Sequence, residues 1–200
     1  LDTSPAGHQP MHYEDLSIVL NGEIYNFMEI RSELEALGHQ FKSHSDTEVV
    51  LHAFREWGEA SVTRFIGMFA FALWDNSEKT LFLARDRMGE KPLYYGNNGG
   101  TFLFGSELKS LAVHPDWKGK VDRDALTLYM RHSNVPSPWS IYQGINKLPP
   151  AHFVVIREDG HVKFKPQCYW DLGEVAEDGC ANLKNNEKES IDELDTLLRD

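Results

Sequence analysis

The sequence predicts an α+β fold in which helices are segregated from a run of antiparallel strands. Residues 26–38 and 45–58 place apolar side chains at helical spacing behind polar residues that suit helix starts. Residues 68–107, by contrast, hold four apolar, aromatic-rich runs in quick succession: FAFALWD, TLFLARDR, PLYYG and TFLFGSE. Turn residues such as Asp75-Asn76-Ser77 and Asn97-Asn98-Gly99-Gly100 separate them. Such short connections join antiparallel neighbours, because parallel strands need a long crossover.

In chain order, the first fifteen residues, LDTSPAGHQPMHYED, are polar and turn-rich, and no regular element is expected there. Residues 16–20, LSIVL, read as a short buried strand, followed by NGEIYN. Asn21-Gly22 is a strong hairpin signal, since both residues tolerate positive φ. The hairpin fits only in part, because it leaves Glu23, Ile24 and Tyr25 as the whole return strand before a helix begins. Asn26 and Glu29 have capping-box spacing. Phe27, Ile30, Leu34 and Leu37 form one apolar face until Gly38 supplies the stop, giving about three turns. In SHSDTEVVLHAFREWG, Ser45 is the expected N-cap and Glu48 completes the box, with Val49, Val50, Ala53, Phe54 and Trp57 as the buried stripe. Asp46 then sits in the first turn, where a negative charge interacts favourably with the helix dipole. Helices are also expected near 107–113 and 122–131, then the loop SNVPSPWSIYQGINKLPPAH and a last strand over 153–157. Residues 171–186 are acidic and polar and read as a linker. From 187 to 199 a helical period returns through Ile191, Leu194, Leu197 and Leu198, without an apolar partner in the chain; this is expected to open a further domain. No internal repeat is visible.

Two hundred residues with 41% hydrophobic content can bury a proper core. A formal net charge of −11 opposes binding to nucleic acid or anionic lipid, both of which need clustered Lys and Arg, and so favours small-molecule or protein partners. No apolar run is long enough to span a bilayer and no signal-peptide pattern opens the chain, so a cytoplasmic location is expected. Cys168 and Cys180 lack a His at zinc-ligand spacing and read as reduced bystanders. The histidines scatter among loop-like neighbours, so no metal site is expected. Arg85, Arg87 and Lys91 lie close together in RDRMGEKPLYY but lack a P-loop pattern; they read as internally paired charges on a strand and turn. Phe69, Phe71 and Trp74 read as core or interface.

Six ordered blocks, NGEIYN, SDTE, GMFAFALWD, RDRMGEKPLYY, FGSELKSL and INKLPPAHF, resemble the glutamine-hydrolysing domain of asparagine synthetases. That domain is a class II glutamine amidotransferase of the N-terminal nucleophile hydrolase type. The resemblance covers most of residues 1–170 and implies a four-layer αββα sandwich. It also implies a reaction: glutamine is hydrolysed to glutamate, and the ammonia passes to an ATP-using domain that amidates an acid, aspartate in asparagine synthetase. Acyl transfer through a thioester develops an oxyanion that needs two fixed donors. The resemblance assigns these to the Asn21 side chain and the Gly22 backbone N–H. It assigns glutamine binding to Glu23 as well, and the glutamine α-ammonium to Asp46. No cofactor is implied for this domain; ATP and magnesium are implied for the synthetase domain, into which residues 171–200 would lead. Glutamine and that domain are the expected partners, and a homodimer is compatible with the sequence.

The family's nucleophile is an N-terminal Cys whose own α-amine serves as base. This chain begins with Leu1, and neither Cys168 nor Cys180 matches that position. The family's Arg-Gly-Pro-Asp block and the Arg that binds the glutamine α-carboxylate also have no counterpart. The expectation is a domain cut at its N-terminal side and inactive alone. The alternatives are a degenerate glutamine sensor or docking module, a sugar-phosphate or purine-pathway relative, and a synthetase acting on another acceptor. RDRMGEKPLYY and KLPPAHF favour the synthetase branch.

Overall fold

The computed structural model describes residues 7–157, 165–183 and 186–199. Alternation along the central strands sets the layering. In β3 (Gly67–Asp75), Phe69, Phe71 and Leu73 face one side, where they join Leu16 and Ile18 of β2 (Leu16–Ile24), Phe82 of β4 (Thr80–Arg85) and Phe153 of β8 (His152–Arg157). Ile30 and Leu34 of helix α1 (Phe27–Ala36) and Val49 and Val50 of α2 (Asp46–Trp57) close that core. The intervening Ala70 and Ala72 face the opposite side with Leu83, Val154 and Ile156, and there they meet Tyr95 of a second sheet and Leu93 just before it. Small side chains at 70 and 72 let that sheet approach. Leu103 and Ile145 on its other face pack on Leu111 of α3 (Leu108–Ala112). Helices, sheet, sheet and helix follow in that order, which is the expected four-layer α+β sandwich.

The first sheet has strand order β1-β2-β3-β4-β8-β9 and the second β6-β5-β7, with every pairing antiparallel. The additional strands are β1 (Met11–Tyr13), β5 (Tyr94–Asn98), β6 (Thr101–Gly105), β7 (Ile145–Lys147) and β9 (Gln167–Cys168). A 3-10 segment (Gly58–Arg64) leads into β3, and α4 (Arg123–His132) starts at Asp122, whose carboxylate accepts from the N–H groups of Asp124 and Ala125. The short strands β1, β7 and β9 fall in segments expected to be irregular; each is recruited by a longer neighbour rather than by its own pattern.

The hairpin alternative at Asn21-Gly22 is set aside, because β2 runs through it to Ile24. Two local expectations are corrected. Asn26 precedes α1 but its side chain caps nothing; it donates to the Arg64 carbonyl at 3.0 Å and accepts from the Ile66 N–H at 2.9 Å, joining the start of α1 to the approach to β3. Residues expected as a linker contain α5 (Leu172–Ala181), because Asp171 accepts from the N–H groups of Gly173 and Glu174 and caps it. Helix α5 and α6 (Glu187–Arg199) belong to a second compact unit, Asp171–Asp200, distinct from Leu1–Trp170. Among their described residues none is buried, and Ile191, Leu194, Leu197 and Leu198 of α6 are exposed.

RDRMGEKPLYY forms a structural knot. Asp86 is fully buried; its carboxylate accepts from the N–H groups of Met88 (3.1 Å), Glu90 (2.9 Å), Lys91 (3.0 Å) and Phe69 (3.3 Å). Arg85 donates to the carbonyls of Lys91 (2.6 Å), Leu148 (2.7 Å) and Gly89 (2.5 Å). The charges are therefore absorbed mainly by backbone rather than by each other, which leaves no free basic cradle at Arg85. Asp86→Ala strands four backbone donors in the interior. The expected cost is more than about 3 kcal/mol, read as a lower denaturant midpoint by tryptophan fluorescence.

Candidate active site

The site residues sit where β2 crosses the end of β3. In the register, Gly22 faces Phe69, Glu23 faces Met68 and Ile24 faces Gly67. Gly22 has φ 141° and Gly67 φ 157°. A Cβ on Gly22 would lie 2.0 Å from the Met68 carbonyl oxygen, and one on Gly67 would lie 2.2 Å from that of Glu23. Glycine is thus required on both strands for the backbones to pair so closely. At Gly22 the absent Cβ clears room for β3.

Antiparallel pairing also decides where the Gly22 N–H points. Phe69 exchanges main-chain contacts with Asp86 on the β4 side, donating to its carboxylate and accepting from its N–H at 2.8 Å. The Gly22 pair is therefore a non-hydrogen-bonded one, and the Gly22 N–H is turned to the opposite edge of β2. Its even-numbered neighbours confirm the direction: the Leu20 N–H donates to Gln9 Oε1 at 2.7 Å and the Ile24 N–H to Asp46 Oδ2 at 3.0 Å. A row of three donors lines this edge, two of them held by side chains.

Asp46 opens α2 and is fixed at both oxygens, by the Ile24 N–H and by its neighbour Thr47, whose N–H donates to Oδ1 at 2.8 Å. Ser45 is the N-cap, as expected, accepting from the Thr47 N–H. Glu48 does not complete the box. Its carboxylate accepts from the N–H groups of Lys42 (2.8 Å) and Ser43 (2.7 Å) and from the Ser43 hydroxyl (2.6 Å). Burial opposes its ionisation, but these hydrogen bonds outweigh burial and hold the carboxyl below the usual range. Glu23, Ile24, Tyr25, His44, Ser45 and Asp46 line an open cleft of about 290 Å³.

Asn21 projects from the same face of β2 as Glu23 but lines a separate cleft of about 140 Å³ between the two sheets, with Ala70, Leu93, Phe104 and Ser106. Its Nδ2 donates to Ser106 Oγ at 3.1 Å. Sequence reasoning gave Ser106 no role, although it lies in one of the six blocks; the contact spans 85 positions and two sheets, which no local pattern encodes. The structure thus joins Glu23 and Asp46 in one cleft and places Asn21 in another, with the Gly22 N–H on the edge of the strand between Asn21 and Glu23. Cys168 and Cys180 are exposed and line neither cleft. Among the described residues no group of three or more His, Cys, Asp or Glu could hold a metal ion, and no helix is long and apolar enough to cross a membrane.

The family model for the glutamine amidotransferase domain matches residues 1–170. The chain is 45% identical over 171 residues to glutamine-hydrolyzing asparagine synthetase 3 of Bacillus subtilis, covering 83% of this chain and 27% of that protein. It is 42% identical over 161 residues to asparagine synthetase 1 of the same organism, covering 80% and 25%. The chain thus spans about a quarter of the length of these relatives. Among solved structures, glutamine phosphoribosylpyrophosphate amidotransferase from B. subtilis matches with a TM-score of 0.56 at 20% identity, covering 81% of this chain and 32% of that one, which bears on the fold. With the αββα layering, the strand edge at Gly22 and these matches together, the chain belongs to the class II glutamine amidotransferase domain family.

Proposed function

We propose that this chain is the glutaminase portion of an asparagine synthetase-like enzyme, supplying ammonia for an ATP-dependent amidation carried out by a further domain. The observation that carries the reading is the edge of β2. Gly22 and Ile24 are two residues apart, so their N–H groups are separated by about 6.8 Å along the strand. Asp46 stands at the Ile24 end of this edge, its Oδ2 3.0 Å from the Ile24 N–H, so a carboxylate acceptor and the Gly22 peptide donor lie along one side of the strand. Glutamine laid along this edge places its α-ammonium at Asp46 and its amide carbonyl at the Gly22 N–H. Glu23 lines the substrate's cleft, and the Asn21 amide, on the adjoining face, supplies the second donor to the oxyanion.

In the proposed reaction, a Cys thiolate attacks the glutamine amide carbon. Ammonia leaves, and water hydrolyses the resulting thioester to glutamate. Negative charge develops on the carbonyl oxygen during both steps, and fixed donors stabilise it without reorganising. Neither cysteine of this chain lines the site. In this reading neither cysteine of the 200 residues supplies the thiol, and these residues alone are expected not to hydrolyse glutamine. ATP and magnesium act in the synthetase domain, with aspartate as the acid amidated. The acidic charge and the relatives' biosynthetic names fit a cytoplasmic enzyme with no nucleic-acid or membrane partner; a homodimer is compatible with this reading.

Two assays check it. The purified 200-residue chain is expected to release no glutamate from glutamine above blank, and release would overturn the assignment of the nucleophile. In the longer protein that carries this domain, Asn21→Ala is expected to lower glutaminase kcat by about 10²–10³ while labelling by a glutamine-directed alkylating reagent still reports an N-terminal Cys. Unchanged kcat would remove Asn21 from the oxyanion site.

A further inference from the structure

We propose that Glu48 is a positioning residue for the glutamine site: it anchors the segment 42–46 from its buried side and so holds the Asp46 carboxylate at the strand edge. The inference rests on the reading of Asp46 as the group that meets the glutamine α-ammonium.

The segment alternates. Ser43 and Ser45 are buried, whereas His44 is exposed and Asp46 partly exposed on the cleft side. Three donors of the segment go to Glu48 directly and a fourth reaches it through Ser43. Its carboxylate takes the N–H groups of Lys42 and Ser43 and the Ser43 hydroxyl, and Ser43 Oγ in turn accepts from the Ser45 N–H at 3.2 Å. Ser45 Oγ accepts from the Thr47 N–H, the same N–H that donates to Asp46 Oδ1. A capping glutamate needs only the N-cap N–H. Here that N–H goes to Ser43 and the glutamate holds the chain further upstream.

Among the described residues no Lys or Arg pairs with this carboxylate at contact distance. The nearest ring is His52, on the same helix, with Nε2 3.9 Å from Glu48 Oε1. His52 is itself buried against Tyr13, with ring centroids 3.9 Å apart, and its Nδ1 lies 2.9 Å from His39 Nδ1. Only one of those two nitrogens can carry the shared proton. His39 Nε2 meets Glu56 at 3.0 Å, and Arg31 is committed to Glu35 and the Ser43 carbonyl. Hydrogen bonds from the 42–43 segment, rather than an ion pair, therefore stabilise the Glu48 charge. The dependence is mutual: the charge needs those donors, and the segment needs the charge. A glutamine in its place offers one acceptor oxygen and turns an NH₂ toward a donor.

Glu48→Gln is therefore expected to raise the glutamine KM of the longer protein about tenfold, with kcat within about twofold, since the loss of charge-assisted hydrogen bonds weakens binding and leaves the oxyanion donors in place. In the 200-residue chain, the Ile24 amide, held by Asp46, is expected to exchange with solvent about tenfold faster in this variant while Leu83 in β4 is unaffected. Asp46→Asn is measured alongside. If it raises KM and Glu48→Gln does not, the positioning role is overturned. If neither raises KM, the reading of Asp46 falls and takes this inference with it. A drop in folded enzyme with unchanged KM marks a purely structural Glu48 and also overturns it. Should Glu48→Gln fail to fold, Ser43→Ala, which removes one donor to Glu48 and the acceptor for the Ser45 N–H, decides by the same rise or constancy of KM.

Discussion

The pairing of β2 with β3 at two glycines is the constraint on which the rest depends. Gly22 and Gly67 lack the Cβ atoms that would strike the opposing carbonyls, so the strands stay in register to Ile24 instead of diverging after Leu20. That continuation does three things at once. It commits the odd-numbered N–H groups of β2 to β3 and turns the even-numbered ones to the free edge. It carries Asn21 and Glu23 onto one face. It also brings Ile24 to the start of α2, where Asp46 receives its N–H. A turn at Asn21-Gly22 would have scattered all three.

An acidic chain uses its carboxylates here as acceptors for main-chain donors. Asp86 gathers a loop, Glu48 gathers the 42–43 segment, Asp46 ties a strand to a helix, and Asp75 closes the β3–β4 turn through the N–H groups of Ser77 and Glu78. Buried carboxylates held this way need no paired cation, because several N–H dipoles replace the water they lose. The arrangement also explains two of the basic residues of RDRMGEKPLYY. Arg85 is saturated by carbonyls, and Arg87 donates to the Thr63 carbonyl and lies 5.8 Å from the Trp170 ring, so the cluster holds loops rather than ligands.

The layering was legible because it is periodic. FAFALWD alternates large and small residues, and the structure sends Phe69 and Phe71 to the helices and Ala70 and Ala72 to the second sheet. Helix α2 was legible through its cap, Ser45, and α4 stands where a helix was expected, with Asp122 as its cap. What the sequence hides is non-local. Asn-Gly carries one local preference, and only the approach of β3, some 45 positions on, converts it into strand. Glu48 has capping-box spacing, yet the Ser43 hydroxyl takes the N–H that the box would use. Asn21 has a local identity and a distant partner, Ser106, which is set by the gap between the sheets. The candidate residues were found because six blocks resemble a family, and their roles in the structure differ from local expectation where tertiary contacts compete.

Under the proposed function, strand geometry also orients the substrate. The donors at Gly22 and Ile24 are spaced by two residues of a strand, a distance that side-chain rotamers cannot adjust because both are backbone groups. One end of the substrate is fixed by Asp46, which is held at both oxygens, and the other by a peptide N–H whose position follows from pairing with β3. Glutamine is held in this reading between a carboxylate and a peptide N–H, and the course of β2 places both: the strand carries the Gly22 N–H itself and positions Asp46 through the Ile24 N–H, so the two ends of the site are set by one stretch of backbone.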